Sequence, residues 1–279
     1  MTVACLRCRR SAARRVHCYQ RRILHREKVT RNRGAVILRS VNRTAHRDSG
    51  PASLPALLAG EPVELHAERA LFWPRGKTLF VADVHLGKSA AFRAGGVPVP
   101  RGATAADLAR LARLISATGA ERLTVLGDFL HAAAGRTVAL DEAFLGWRAA
   151  HRALALTLVR GNHDEHAGDP PAAWGVEVVT EPHDAAPFLL CHQPPDDGEG
   201  PDLLGYALAG HVHPGVRISG IGGQSERLPC FVLGHSRAIL PAFGRFTGLA
   251  LHGWERERAV IAIAGEQLYA VPRQPRAEG

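Results

Sequence analysis

Methionine, aromatics and long apolar runs are scarce in this sequence, and each shortage excludes something. Met1 is the only methionine among 279 residues, so a start further along would have to be read from a Val or Leu codon. Aromatic residues make up 6% of the chain, and Trp73, Trp147 and Trp254 are too scattered to form a base-stacking platform. No apolar stretch approaches the roughly 18 residues that a membrane-spanning helix needs, and the N-terminus lacks the continuous apolar segment of a secretory signal. The five cysteines, Cys5, Cys8, Cys18, Cys191 and Cys230, are odd in number and irregular in spacing. That is not the pattern of a disulfide framework, and a cytoplasmic location is expected.

Acidic residues are nearly missing from the first 50 positions, which hold 14 of the 35 Lys and Arg but only Glu27 and Asp48. The formal charge of +9 is therefore a property of this leader, and positions 51–279, with 21 bases and 24 acids, net −3. A leader with so little apolar periodicity cannot offset its own ordering entropy and is expected to be disordered. It reads as a nucleic-acid-binding arm, an Arg-rich targeting peptide or upstream sequence joined to the frame by a mis-called start; the last is adopted here. Cys5, Cys8, His17 and Cys18 lack the spacing of a zinc site.

From position 51 onward short apolar runs alternate with helix-like stretches, the rhythm of an α/β domain over 51–279. Strands are expected at 78–82, 123–126, 155–159, 188–191, 206–209 and 230–233. Leu108, Leu111, Leu114 and Ile115 repeat at helical spacing with Gly119 as the stop, and Leu140, Phe144, Trp147 and His151 mark a second helix. The segments FTGLALHGW, RAVIAIAG and QLYAV alternate as antiparallel strands would, which predicts a second sheet packed on the first.

Five of the strand ends release polar residues into the following loop, where open α/β sheets build their sites. In order they are Asp83-Val84-His85, Gly127-Asp128, Gly161-Asn162-His163-Asp164, His192 and Gly210-His211-Val212-His213. If the chain leaves each strand extended, Asp83 with His85 and His211 with His213 form two clamps, while adjacent Asn162 and His163 point apart. Two carboxylates, four imidazoles and one amide oxygen, with no thiolate, suit Mn, Fe, Zn or Co. Seven donors exceed what one ion takes from protein, so two divalent ions bridged by Asp128 are expected. Such a centre keeps about +2 of formal charge after Asp83 and Asp128 are counted, which favours phosphate and in-line displacement. His163 fits the donor of a proton to the leaving oxygen, its tautomer set by Asp164 or a nearby backbone group.

This DxH, GD, GNHD, lone H and GHxH series resembles the calcineurin-like metallophosphoesterase superfamily, in the same order, over residues 78–215. The resemblance implies two packed mixed β-sheets flanked by helices, an αββα sandwich. It further implies Asp83, His85, Asp128 and His213 around one metal, and Asp128, Asn162, His192 and His211 around the other. Where many members have GDxxD, this chain has GDFLH, placing His131 in the second acidic position. The stretches DVHLGKSAAFRAGGVPVPRG, LGDFLHAAAG and LPCFVLG…LPAFGRFTG are similar to the ligase-associated DNA damage response endonuclease branch, PdeM, in which GDFLH is expected. That likeness implies a Mn²⁺-dependent phosphodiesterase acting on DNA in repair, with a DNA ligase and a helicase as functional associates.

Taken singly, each proposed donor is a common turn or capping residue; it is their joint order that argues for a metal centre. His131 reads as a histidine supporting the site, and Lys88, Arg93 and Arg101 as either phosphate contacts or a solvated helix start. A phosphomonoesterase or nucleotide pyrophosphohydrolase would share the same donors, so loops decide between them. A non-catalytic protein-binding scaffold of this fold is the alternative of another class, and it should show broken donor positions. None is broken.

Overall fold

The alternation of buried and exposed positions in residues 53–66 builds an antiparallel edge that the apolar-run reading missed. The structure, a computed structural model, describes residues 52–196, 205–219, 225–251, 254 and 257–272. The leader, with the question of its start, lies outside the described residues. Strands β1 (Ser53–Leu58), β2 (Glu61–His66), β3 (Ala70–Trp73), β4 (Thr78–Val81), β5 (Arg122–Leu126), β6 (Ala155–Val159) and β7 (Glu177–Val179) form one sheet in chain order. β1 to β4 pair antiparallel and β4 to β7 parallel. The parallel strands are apolar because both of their faces are covered.

The second sheet holds β8 (His183–Ala185), β9 (Phe188–Leu190), β10 (Tyr206–Ala209), β12 (Ser225–Leu233), β13 (Arg237–Ile239), β14 (Ala259–Ala264) and β15 (Gln267–Ala270). Its order is β15-β14-β12-β13-β10-β9-β8, with β11 (Gly215–Ser219) against β12. The two expected C-terminal strands at RAVIAIAG and QLYAV are β14 and β15. The described residues of FTGLALHGW form no strand: Phe246 sits in a turn with a φ of 62°, and Ala250 makes an isolated bridge to Pro214.

The expected helices are present as α2 (Ala103–Thr118), capped by Gly119 at φ 67°, and α3 (Val138–Ala150). Short helices α1 (Lys88–Ala94) and α4 (Asn162–Ala167) follow two of the motif loops. Leu108, Leu111 and Leu114 of α2 and Phe144 and Trp147 of α3 pack on the outer face of the first sheet. The faces of the two sheets meet through Phe80, Phe188, Leu208, Phe231 and Ile261. These layers make a mixed two-sheet sandwich whose helical flank is carried by the first sheet. His66, on β2, is buried in it with neither ring nitrogen hydrogen-bonded, and burial lowers its pKa to about 4.

Candidate metal centre

The motif loops leave β4, β5, β6 and β10 at their C-terminal ends, so donors from both sheets reach one edge of the sandwich. The local backbone there departs from the extended path assumed above. Asp83, His85, Asp128, His211 and His213 all have positive φ, between 50° and 68°. Such a conformation costs an L-residue about 1 kcal/mol or more and persists where the surroundings enforce it. Here the enforcement is visible: Asp83 N–H donates to Gly127 O at 3.1 Å, His85 N–H to Asp128 O at 2.8 Å and Leu86 N–H to Phe129 O at 2.7 Å. Phe129 is anchored in turn by Phe144 and Trp174. Two glycines admit the close approach of neighbouring loops. A Cβ on Gly127 would strike the His192 ring, and one on Gly161 would strike Asp128.

The proposed donors collect into two groups. Asp83, His85 and His213 form one and Asp128, His192 and His211 the other, the atoms of each within 4.8 Å of one another. Asp83 and His85 are thus brought together, whereas His211 and His213 fall into different groups. The two-histidine clamp expected from alternation does not form, although Asp83 and His85, with positive φ at both residues as well, do stay together. Asn162 joins the second group, with its Oδ1 2.9 Å from His192 Nε2. Asp128 touches both groups, its Oδ1 3.4 Å from His192 Nε2 and its Oδ2 3.9 Å from His85 Nε2.

The chemistry of these contacts fits a cation. Leu126 O lies 3.1 Å from His192 Nδ1 and takes that proton in the neutral ring, so His192 Nε2 presents a lone pair. It faces Asn162 Oδ1 at 2.9 Å, Asp128 Oδ1 at 3.4 Å and His211 Nδ1 at 3.0 Å, and of these only the His211 ring can turn a proton toward it. One proton at most serves this cluster of acceptors, and a divalent ion among them would relieve the repulsion of the rest. Burial, with Lys88 and three neighbouring histidines, lowers the pKa of His85, and burial with His192 lowers that of His211. Both rings are therefore held neutral, as metal ligands must be.

His163 and Asp164 part company in the structure. His163 Nδ1 donates to His131 O at 2.7 Å, which leaves Nε2 directed away from that carbonyl, 4.0 Å from Asp128 Oδ2. The tautomer is therefore set by a backbone group. Of the two groups expected to set it, the backbone carbonyl is the one found, and Asp164 makes its hydrogen bonds elsewhere. Its fully buried carboxylate accepts N–H groups from Leu130 at 2.8 Å, Gly161 at 3.0 Å and Phe129 at 3.3 Å. Asp164 ties the Asn162 loop to the Asp128 loop. His131 stacks on His163 at 4.9 Å and places its Nδ1 3.4 Å from His85 Nδ1; burial, Lys88 and His163 lower its pKa to about 4.

Two supports had no signal in the motifs. Glu181 accepts the backbone N–H of His192 at 2.6 Å and of Gln193 at 2.9 Å, and nothing in its spacing marks it. Residues 242–244 run beside the end of β4, where Phe243 N–H donates to Ala82 O and Gly244 N–H to Asp83 O. Arg69 and Arg110 hold that strap by its carbonyls at Ala242 and Phe243. The stretch LPAFG carries it, but only the fold shows what it grips.

No family model and no curated protein matches the chain. Among solved structures it is similar to the crystal structure of Pseudomonas putida nuclease MPE, with a TM-score of 0.66 and 38% identity, over 79% of this chain and 100% of that one. Identity at that level over the whole of a relative goes beyond a shared architecture. Together with the motif order over residues 78–215, it means that the chain belongs to the calcineurin-like metallophosphoesterase superfamily.

Proposed function

We propose that the protein is a metal-dependent phosphodiesterase that cuts DNA internally and serves DNA repair. The observation that carries the reading is the meeting of the two donor groups at Asp128, in a chain 38% identical to a protein described as a nuclease. Asp83, His85, Asp128 and His213 would hold one ion, and Asp128, Asn162, His192 and His211 the other. Two divalent cations, Mn²⁺ by preference, supply when bound the positive charge that draws in a phosphoryl group and stabilises its in-line displacement. The repair setting, with a ligase and a helicase as associates, rests on the family resemblance alone.

The protein's own residues prepare the rest. His163 keeps one proton on Nδ1 against the His131 carbonyl, so the proton that its ring can gain and give sits on Nε2. His163 is half-exposed, so a substrate oxygen can reach Nε2, while Asp83 and Asp128 are buried. A proton delivered from Nε2 to the departing alkoxide lets the P–O bond break without expelling a strong base. The stacked His131 ring restricts how far His163 can turn.

The test is incubation of metal-loaded protein with circular single-stranded DNA, linear duplex, a chromogenic diester and a chromogenic monoester. Asp128→Asn serves as the control for contaminating nuclease. Cutting of the circle together with diester turnover supports the reading, because a closed circle offers no end to an exonuclease. Monoester turnover with every DNA intact would move the protein to the phosphatase reading.

A further inference from the structure

Positions 51–279 are mildly acidic, yet positions 84–106 contain no Asp or Glu and carry Lys88, Arg93 and Arg101. This acid-free stretch starts directly after the first motif loop and forms α1 and the turn that follows it. The turn folds back on the helix: Val97 N–H donates to Phe92 O at 2.9 Å, and Arg93 Nη1 donates to Pro100 O at 3.3 Å. Arg93 is thereby tied to the turn that carries Arg101.

Lys88 is the nearest of the three cations to the first motif loop and one of only three lysines in the chain. Its ammonium lies 5.8 Å over the Phe92 ring, and Phe92 packs edge-on against His131 at 5.7 Å. It stands within Coulombic reach of Asp83 and Asp128 and of His85 and His131. No described carboxylate pairs with it, whereas Lys77 pairs with Glu121. The metal-free donors could account for a cation here, but the loaded centre could not. With about +2 already present, a further ammonium is repelled unless the substrate brings more negative charge than the one phosphate being cut.

We infer that Lys88 grips the phosphate next to the scissile one in a polynucleotide, with Arg93 and Arg101 continuing the track, and so favours polymer over small diesters. The inference rests on the phosphodiesterase reading and adds to it a residue that selects the substrate. A contact of this kind is made equally in ground and transition states, so its loss should appear in KM and not in kcat. Phe92 fixes where the ammonium sits by attraction to the ring face.

The experiment compares Lys88→Met and Lys88→Arg with the parent protein, all metal-loaded, on a synthetic oligonucleotide and on bis(p-nitrophenyl) phosphate across a salt series. Metal per chain is measured for each. Lys88→Met should lower kcat/KM for the oligonucleotide about tenfold more than for the small diester, through KM. The salt slope for the oligonucleotide should become shallower by about one. Lys88→Arg, which keeps the charge, should recover most of the loss. Equal losses on both substrates, or a loss of metal, would place Lys88 in the metal centre and overturn the inference. An unchanged oligonucleotide KM would overturn it too, leaving a solvated charge. A parent protein that hydrolyses neither substrate would defeat the phosphodiesterase reading itself, a result distinct from the other two.

Discussion

Asp164 separates a catalytic carboxylate from a tethering one, and its removal has a calculable size. In Asp164→Ala, the N–H groups of Phe129, Leu130 and Gly161 lose their acceptor in a place where the native side chain is 0% exposed. Each buried donor left unpaired costs about 1–3 kcal/mol, and because the three share one cavity, partial re-hydration brings the sum to about 3–5 kcal/mol. Against the roughly 5–15 kcal/mol of a typical domain, this is a large fraction. Asp164→Asn keeps one acceptor oxygen but turns an amide donor toward the remaining N–H groups, so about 2–3 kcal/mol is expected. Urea denaturation of chelator-treated protein measures the loss without metal, and calorimetric titration then measures Mn²⁺ affinity, which should weaken because both tethered loops carry donors. A metal-free Asp164→Ala within about 1 kcal/mol of the parent, but slowed about a hundredfold with metal, would refute the tether. That result would return the carboxylate to the chemistry of His163.

Asp128→Asn should lower metal content more than any other single donor change, since its two oxygens face both groups; elemental analysis showing two equivalents bound would contradict a bridging role. His163→Ala should keep its metal while turnover falls about 10²–10⁴-fold, and metal loss matching that of Asn162→Ala would reassign the residue. His66 has its pKa lowered from 6.5 to about 4 by burial, so the unfolded chain takes up the proton first and stability falls as pH drops from about 6.5 toward 4. The contribution at pH 5 works out at about 2 kcal/mol. His66→Leu should flatten the pH dependence of urea stability by that amount between pH 7.5 and pH 5, and an unaltered slope would show that the ring is solvated when folded.

The parallel strands of the first sheet could be read because burial on both faces makes them continuous apolar runs, and each ended where a polar motif began. β1 and β2 escaped because Pro55, Pro62 and the polar positions of an edge hairpin dilute the apolar signal, and β3 because its apolar run is only four residues long. The donors were legible one by one and the family resemblance implied their grouping, but strand alternation by itself did not give it. Alternation put His211 beside His213, and the fold sends them to separate groups, while Asp83 and His85, of the same positive φ, stay in one. The role of Asp164 was hidden for a related reason. Adjacency to His163 suggested a partner, while its acceptor contacts reach residues 34 and 35 positions away.

The donors hang from two different sheets, Asp83, Asp128 and Asn162 from the first and His192, His211 and His213 from the second. The thickness of the apolar layer between the sheets therefore acts as a gauge block that sets the span across the metal centre. Phe80, Phe188 and Phe231, none of them a donor, fill that layer. Trimming or enlarging one of them would retune which ion fits, with every ligand left in place.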